Sequence, residues 1–359
     1  MFGLIKRESC FPARREGKLA VFNNLVLKVI TLSPLFLVAS IFSDASEPSH
    51  GFAYFGTLKY SVEMRHFDYV NPAAKKGGVM RGGDVMTFNN LNPLADRGIL
   101  AVYADSLVFE PLMMQSEDEI ASYYGRLAKT IEVADDYSWV EYTLKTNARW
   151  HDGRPVTVED IIWTFQTLKN HGSPGWRNQY REIAEIEQTD KWSFKFHFSE
   201  AAKKDQRLVQ LTTGFTPAAK HYWQGKEIQA TTLTPPLGNG PYRITEVKKG
   251  QKIVYQRVTD YWGIDLPVNK GYFNFDRIEF ICFLDQNVMR QSLRAGVFDY
   301  YREQVESALA TAYDFDAYKQ GLFKKETYQM GHAYGMHQAL ILNQRKPLFQ
   351  EIKVREALT

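Results

Sequence analysis

The chain has 359 residues, 44% of them hydrophobic and 24% charged, which is the composition of a globular protein with length for about two domains. Its net charge of +3 is unevenly placed. Lys6, Arg7, Arg14, Arg15, Lys18 and Lys28 outweigh Glu8, Glu16 and Asp44 in the first 45 residues, so Ser46 to Thr359 carries equal numbers of the two signs. A neutral body lacks the concentrated Lys and Arg that nucleic acid or an anionic membrane requires, and neither is an expected partner.

The basic start leads into Val29 to Phe42, an uncharged and mostly apolar stretch, followed by Ser43-Asp44-Ala45 with small residues where a signal peptidase reads. Residues 1–45 therefore read as a cleaved export signal, since a stretch interrupted by Pro34 falls short of the roughly 20 residues a spanning helix needs. Cys10 leaves with that signal, so the mature chain keeps one thiol, Cys282, and forms no internal disulfide. Cys282 sits in an apolar run from Ile278 to Leu284 and reads as a small core hydrophobe.

From Ser46 to Gly83 the sequence reads as irregular chain with short strands. Val140, Tyr142 and Leu144 alternate with polar residues and predict a strand, which Asp152-Gly153 ends in a turn. Val158, Ile161, Ile162, Phe165 and Leu168 then recur at helical spacing behind a Thr157/Asp160 capping box, and His171-Gly172 stops the helix. Trp192, Phe194, Phe196 and Phe198 mark a second strand with an aromatic face. Tyr242 to Val247 and Lys252 to Val258 flank a hairpin loop at Lys248-Lys249-Gly250-Gln251. A strand at Ile278, a helix over Gln286 to Arg294, and strands near Phe298 to Tyr301 and Ala339 to Leu342 complete the pattern. Strands and helices mix throughout, which defines an α/β (mixed α+β) class.

The short motifs of catalysis are missing: there is no GxSxG, HExxH or GxxxxGK[ST]. Gly77-Gly78 and Gly82-Gly83 lack the spacing of a phosphate loop and read as flexible loop. His332 and His337, five apart, do not share a helical face as metal ligands would, so no metal and no cofactor is expected. His151-Asp152 resembles an acid/base pair, but adjacent residues on a turn point apart. Asp135-Asp136 and Glu117 with Glu119 read as solvated loop charges rather than glycosidase carboxylates. Aromatic abundance, 50 Phe, Tyr or Trp, suits both a core and a cleft.

The segment Ala148-Arg149-Trp150-His151-Asp152-Gly153-Arg154-Pro155-Val156-Thr157-Val158-Glu159-Asp160-Ile161-Ile162-Trp163-Thr164-Phe165 resembles the hallmark of the family-five extracellular solute-binding proteins, the oligopeptide and dipeptide binding group. Pro235 to Tyr242, Arg257 to Gly263 and Arg294 to Asp299 follow in the family's order. His50-Gly51-Phe52, His66 to Pro72, Leu266 to Asn269 and Asn274-Phe275-Asp276 look like the branch linked to peptide and microcin C uptake.

That resemblance implies a two-lobed, hinge-closing periplasmic binding protein of the class II type, monomeric, which hands a peptide or peptide-like solute to the permease of an ABC transporter. It implies a first lobe made of residues 46–90 and 230–340, an inserted subdomain at 91–229, and the start of a second lobe at 341–359, with the rest of that lobe missing. Cleft-facing candidates are Phe88, Asn89 and Asn92 in one loop, Tyr103, and Asn343 and Arg345 after the late strand, where Asn and Arg would pair with peptide amides or a carboxylate and the competing role is loop capping. The expectation is a non-enzymatic binding component that binds weakly or not at all without its second lobe. The rival readings are an exported hydrolase using the scattered carboxylates and a non-functional remnant.

Overall fold

Alternating side chains build three sheets, the two larger of which cover separate cores. The computed structural model describes residues 47–303, 305, 308, 311–326 and 342–358. The export segment, His332, His337 and residues 339–341 of the late strand lie outside the described residues. From chain start onward the strands are β1 (Gly51–Ala53), β2 (Val79–Asp84), β3 (Met113–Gln115), β4 (Ser122–Gly125), β5 (Ala128–Val133), β6 (Trp139–Leu144), β7 (Ile183–Gln188), β8 (Ser193–Phe198), β9 (Tyr242–Lys248), β10 (Lys252–Arg257) and β11 (Arg277–Cys282).

Strands β5-β6-β8-β7 form an antiparallel sheet. Period-two patterning puts Val140, Tyr142, Phe194 and Phe196, all 0% exposed, on one face. Helix α1 (Val158–His171) packs Ile161, Phe165 and Leu168 into the same core, joined by α3 (Gln206–Thr213) and α4 (Lys220–Trp223), while α2 (Pro174–Gln179) buries no residue fully. The Thr157/Asp160 capping box is formed on both sides, and Gly172 follows the last turn, as the sequence predicts.

The second sheet, in the order β2-β11-β10-β9, is mixed. The hairpin β9/β10 is antiparallel, and β11 runs antiparallel to β10 but parallel to β2, in the register Gly82↔Phe280 and Gly83↔Ile281. Phe88, Leu91, Val108, Tyr242, Ile253, Tyr255 and Phe280 fill its core. A bridge from Gly82 to Tyr300 extends the parallel part of the sheet by one more segment, which is all that forms of the strand expected near Phe298 to Tyr301. Helix α5 (Gln286–Arg294) links β11 to that segment.

Gly82 and Gly83 are a correction to the loop expectation, because both are strand residues inside β2. A Cβ on Gly82 would stand 2.4 Å from the Phe280 ring, and one on Gly83 2.6 Å from the Phe298 ring. Two aromatic rings press close against bare backbone here, and close approach rather than flexibility requires the glycines. The third sheet, β1-β4-β3, is small and packs Tyr124 against Tyr60 and Phe67 of the N-terminal segment.

Candidate functional site

Parallel strands all end on one side, and in open α/β sheets that side is where ligands collect. The carboxyl ends of β2 and β11, at Asp84 and Cys282, lie in register with each other, and Tyr300 flanks β2. A forked ion pair pins the flank: Arg81 Nε donates to Asp299 Oδ2 at 2.9 Å and Nη2 to Oδ1 at 2.6 Å, while Gly83 N donates to Tyr300 O at 3.1 Å. Tyr103 reaches the same edge from a turn held at φ 58°, a left-handed conformation unusual for a bulky residue. Its ring lies 5.1 Å from that of Phe280 and it stays 44% exposed.

The edge is partly desolvated. Burial raises the Tyr103 hydroxyl above its usual range, reinforced by Tyr300 and Asp84 and opposed by Arg302. Burial likewise raises the Asp84 carboxyl, and it pushes the Cys282 thiol up to about 11 with help from Asp84. A thiol held protonated in this way is a poor nucleophile, in keeping with the hydrophobe role expected for it. The arrangement offers an aromatic face, a phenol, a carboxyl and a guanidinium, groups able to contact a ligand.

The other candidates of the binding loop take different places. Phe88 is 1% exposed in the second core, and Asn92 is 0% exposed. Neither presents surface to a ligand, so both are corrected to framework residues. Asn92 Nδ2 donates to the carbonyls of Ile228 at 2.8 Å and Ala230 at 3.0 Å, and its Oδ1 accepts from Leu94 N at 3.0 Å. Asn89 is exposed, but its Oδ1 caps Ile99 N at 2.7 Å, which is the loop-capping role. Asn343 and Arg345 are exposed and bonded locally, Asn343 Oδ1 accepting from Arg345 N at 3.1 Å. Tyr103 alone of the six stands at the strand ends by the contacts it makes. Asp84, Tyr300 and Arg302, its neighbours at that edge, carry no sequence signal, because parallel pairing cannot be read from a single strand's pattern.

The hallmark segment proves to be a joint. His151 N donates to Gly238 O at 2.8 Å and its Nε2 meets Gly240 O at 2.8 Å, while Asp152 Oδ2 meets His221 Nε2 at 2.8 Å. The adjacent side chains thus serve separate partners and form no acid/base pair. Burial also pulls the His151 imidazole below its usual value. Trp150 Nε1 donates to Asp160 Oδ2 at 3.2 Å, which ties the turn to the helix start. Among the described residues no group of three or more His, Cys, Asp or Glu could hold a metal ion, and no helix is long and apolar enough to cross a membrane.

A mixed sheet with parallel strand ends and helices packed beside it defines an α/β architecture. The chain is similar to the oligopeptide-binding protein AppA from Bacillus subtilis, solved in complex with a nonapeptide, at 20% identity and a TM-score of 0.57 over 68% of this chain and 47% of that one. That likeness shows that this chain shares the fold of about half of that binding protein. Residues 122–359 match the bacterial extracellular solute-binding proteins, family 5, middle region, and the chain belongs to that family. It is 38% identical to the "Uncharacterized protein y4wM" of Sinorhizobium fredii over 86% of this chain and 47% of that protein. It is 35% identical to the "Probable peptide-binding protein YejA" of Agrobacterium fabrum over 95% of this chain and 56% of that protein. The chain spans about half the length of these curated relatives.

Proposed function

We propose that this chain supplies the first lobe of a periplasmic binding component that captures peptides or peptide-like solutes and delivers them to the permease of an ABC importer, without catalysing a reaction. The observation that carries this reading is the strand-end edge where Asp84, Tyr103 and Tyr300 meet around an exposed aromatic face. Membership of family 5 and the peptide-binding name of the Agrobacterium fabrum relative support it. Such a site holds a peptide by main-chain hydrogen bonds and aromatic contact, which tolerates varied side chains.

Tyr103 is the ligand contact this reading keeps at the strand-end edge, and Asn343 and Arg345, exposed after the late strand, are proposed as further contacts away from that edge. The inserted subdomain spans about 91–229 in this reading, supported by Leu91 and Asn92 running beside Ile228 to Thr232. Residues 1–45 act as the export signal that delivers the protein to the periplasm.

A hybrid tests the proposal, in which residues 47–358 of this chain replace the matching part of the Agrobacterium fabrum relative. Calorimetry against a mixture of short peptides is expected to show saturable binding, with every peptide recovered intact by mass spectrometry. A folded hybrid that binds no peptide, or that cleaves peptides, would refute the assignment. Tyr103→Ala in the same hybrid is expected to weaken binding by about tenfold, the loss of a single aromatic contact of about 1.4 kcal/mol.

A further inference from the structure

Away from the strand-end edge, at the end of the β5/β6 pair, lies a cavity of about 350 Å³ lined by Lys129, Lys145, Thr146, Asn147, Asp190 and Trp192 among others. Lys129 is the second residue of β5, and Lys145 directly follows β6, so antiparallel pairing brings two cations to one opening. Lys145 N donates to Leu127 O at 2.9 Å, and its Nζ donates to the carbonyl of Ala128 at 2.7 Å. Neither lysine forms an ion pair among the described residues. Asp190 is the carboxylate lining the cavity, and the Lys191 ammonium lies 5.4 Å from the centre of the Trp192 ring.

Two lysines share the opening with one carboxylate, Asp190, and the surplus positive charge is unfavourable unless something answers it. Burial draws the Lys145 ammonium down to about 8, with repulsion from Lys129 as the second cause. Trp192 supplies a flat apolar wall, half-buried against the first core. Thr146, Asn147 and the Asp190 carboxylate add donors and acceptors suited to hydroxyl groups. An indole beside hydroxyl-binding groups suits a pyranose ring, and the lysines call for a negative charge on it.

We infer that this cavity is a second binding site, for a saccharide that carries one anionic group, with the anion between Lys129 and Lys145 and the sugar ring against Trp192. None of its lining residues belongs to the strand-end edge, so the inference stands apart from the peptide reading. The charged groups facing Lys145 are Lys129 from β5 and Asp190 from the turn before β8, with Lys191 beyond the indole. An anion that settles here favours the charged form of Lys145, so binding takes up a proton when the pH lies near 8.

The probes are galacturonate, galactose and inorganic phosphate, titrated into the full chain by calorimetry at pH 7 and pH 9. Galacturonate is expected to bind saturably in the millimolar range, with galactose about tenfold weaker, and with affinity falling as pH rises through 8. The heat at pH 8 should change with the ionisation enthalpy of the buffer, as proton uptake demands. Lys129→Gln, at an exposed position that leaves the fold intact, should weaken galacturonate several-fold. Equal binding of galactose and galacturonate, an unaffected Lys129→Gln, or no saturation at all overturns the inference. Phosphate binding without galacturonate binding does so too, by reducing the cavity to a general anion pocket.

Discussion

Glu110 and Arg126 form an ion pair with almost no access to water, their side chains 0% and 9% exposed. The Tyr261 hydroxyl donates to Glu110, Asn269 Nδ2 donates to Tyr261 at 3.0 Å, and the Arg126 guanidinium lies 5.5 Å from the centre of the Phe273 ring. Burial pushes the Glu110 carboxyl up to about 7 despite the pull of Arg126 and Tyr261, so the pair is costly to desolvate and costlier to break. Arg126→Met leaves the buried Glu110 without its counter-ion and is expected to cost about 3–5 kcal/mol at pH 7.5. A carboxyl raised in the folded state binds more protons folded than unfolded, so its penalty grows with pH up to the folded value and shrinks as pH falls towards the unfolded one. Urea melts of the Arg126→Met variant should therefore show a smaller deficit at pH 5 than at pH 7.5. A deficit that does not change with pH would mean that Glu110 is not the group left stranded.

At the scale of one element, the start of α1 shows how a long motif becomes structure. Asp160 Oδ2 accepts from Thr157 N at 2.9 Å, from Thr157 Oγ1 at 2.9 Å and from Trp150 Nε1 at 3.2 Å, and Oδ1 accepts from Lys220 N at 2.8 Å. Thr157→Ala removes a helix cap and should cost about 1 kcal/mol. Asp160→Ala also orphans the buried Trp150 N–H, and roughly 2–4 kcal/mol is expected. Thermal melts followed by circular dichroism rank the two, and equal losses would show that Asp160 does no more than cap. This helix was legible because a cap and a 3.6-residue apolar period are local signals, and the same holds for α5 and the β9/β10 hairpin. The parallel β2/β11 pair was not legible, because its partners are some 200 residues apart in sequence, and Gly82-Gly83 looked like a loop until Phe280 and Phe298 supplied the reason for them. The candidate site fared similarly. Tyr103 stays exposed beside the strand ends, whereas Phe88 and Asn92 share a polar, turn-like stretch that burial turns inward.

Across the whole molecule, the two larger cores meet at Gly238 to Gly240. Asn239 Oδ1 accepts from Glu110 N at 2.9 Å, and Trp262 Nε1 donates to Asn239 O at 2.8 Å. Asn239 N and Gly240 N both donate to Val108 O of the second core, while His151 of the first grips Gly238 and Gly240. Nature supplies separate reporters for the two sides. Trp150 and Trp223 lie in the first core, Trp163, Trp176, Trp192 and Trp262 pack against it, and Trp139 stands on β6 of its sheet, so tryptophan fluorescence reports on that side. Cys282 packs against the second core, and in a Cys10→Ser variant its thiol labelling reports on that side alone. Because the backbone of the seam is bonded from both cores, neither can open far without unmaking the other's partners. The two probes are expected to give coincident urea transitions. Gly238→Ala should move both midpoints down together, since a Cβ there would stand 2.1 Å from Val108 O, a backbone atom that cannot step aside, at a cost of about 1–3 kcal/mol. If the thiol exposes at a lower urea concentration than the fluorescence change, the cores unfold separately, and the hallmark segment holds only its own subdomain together.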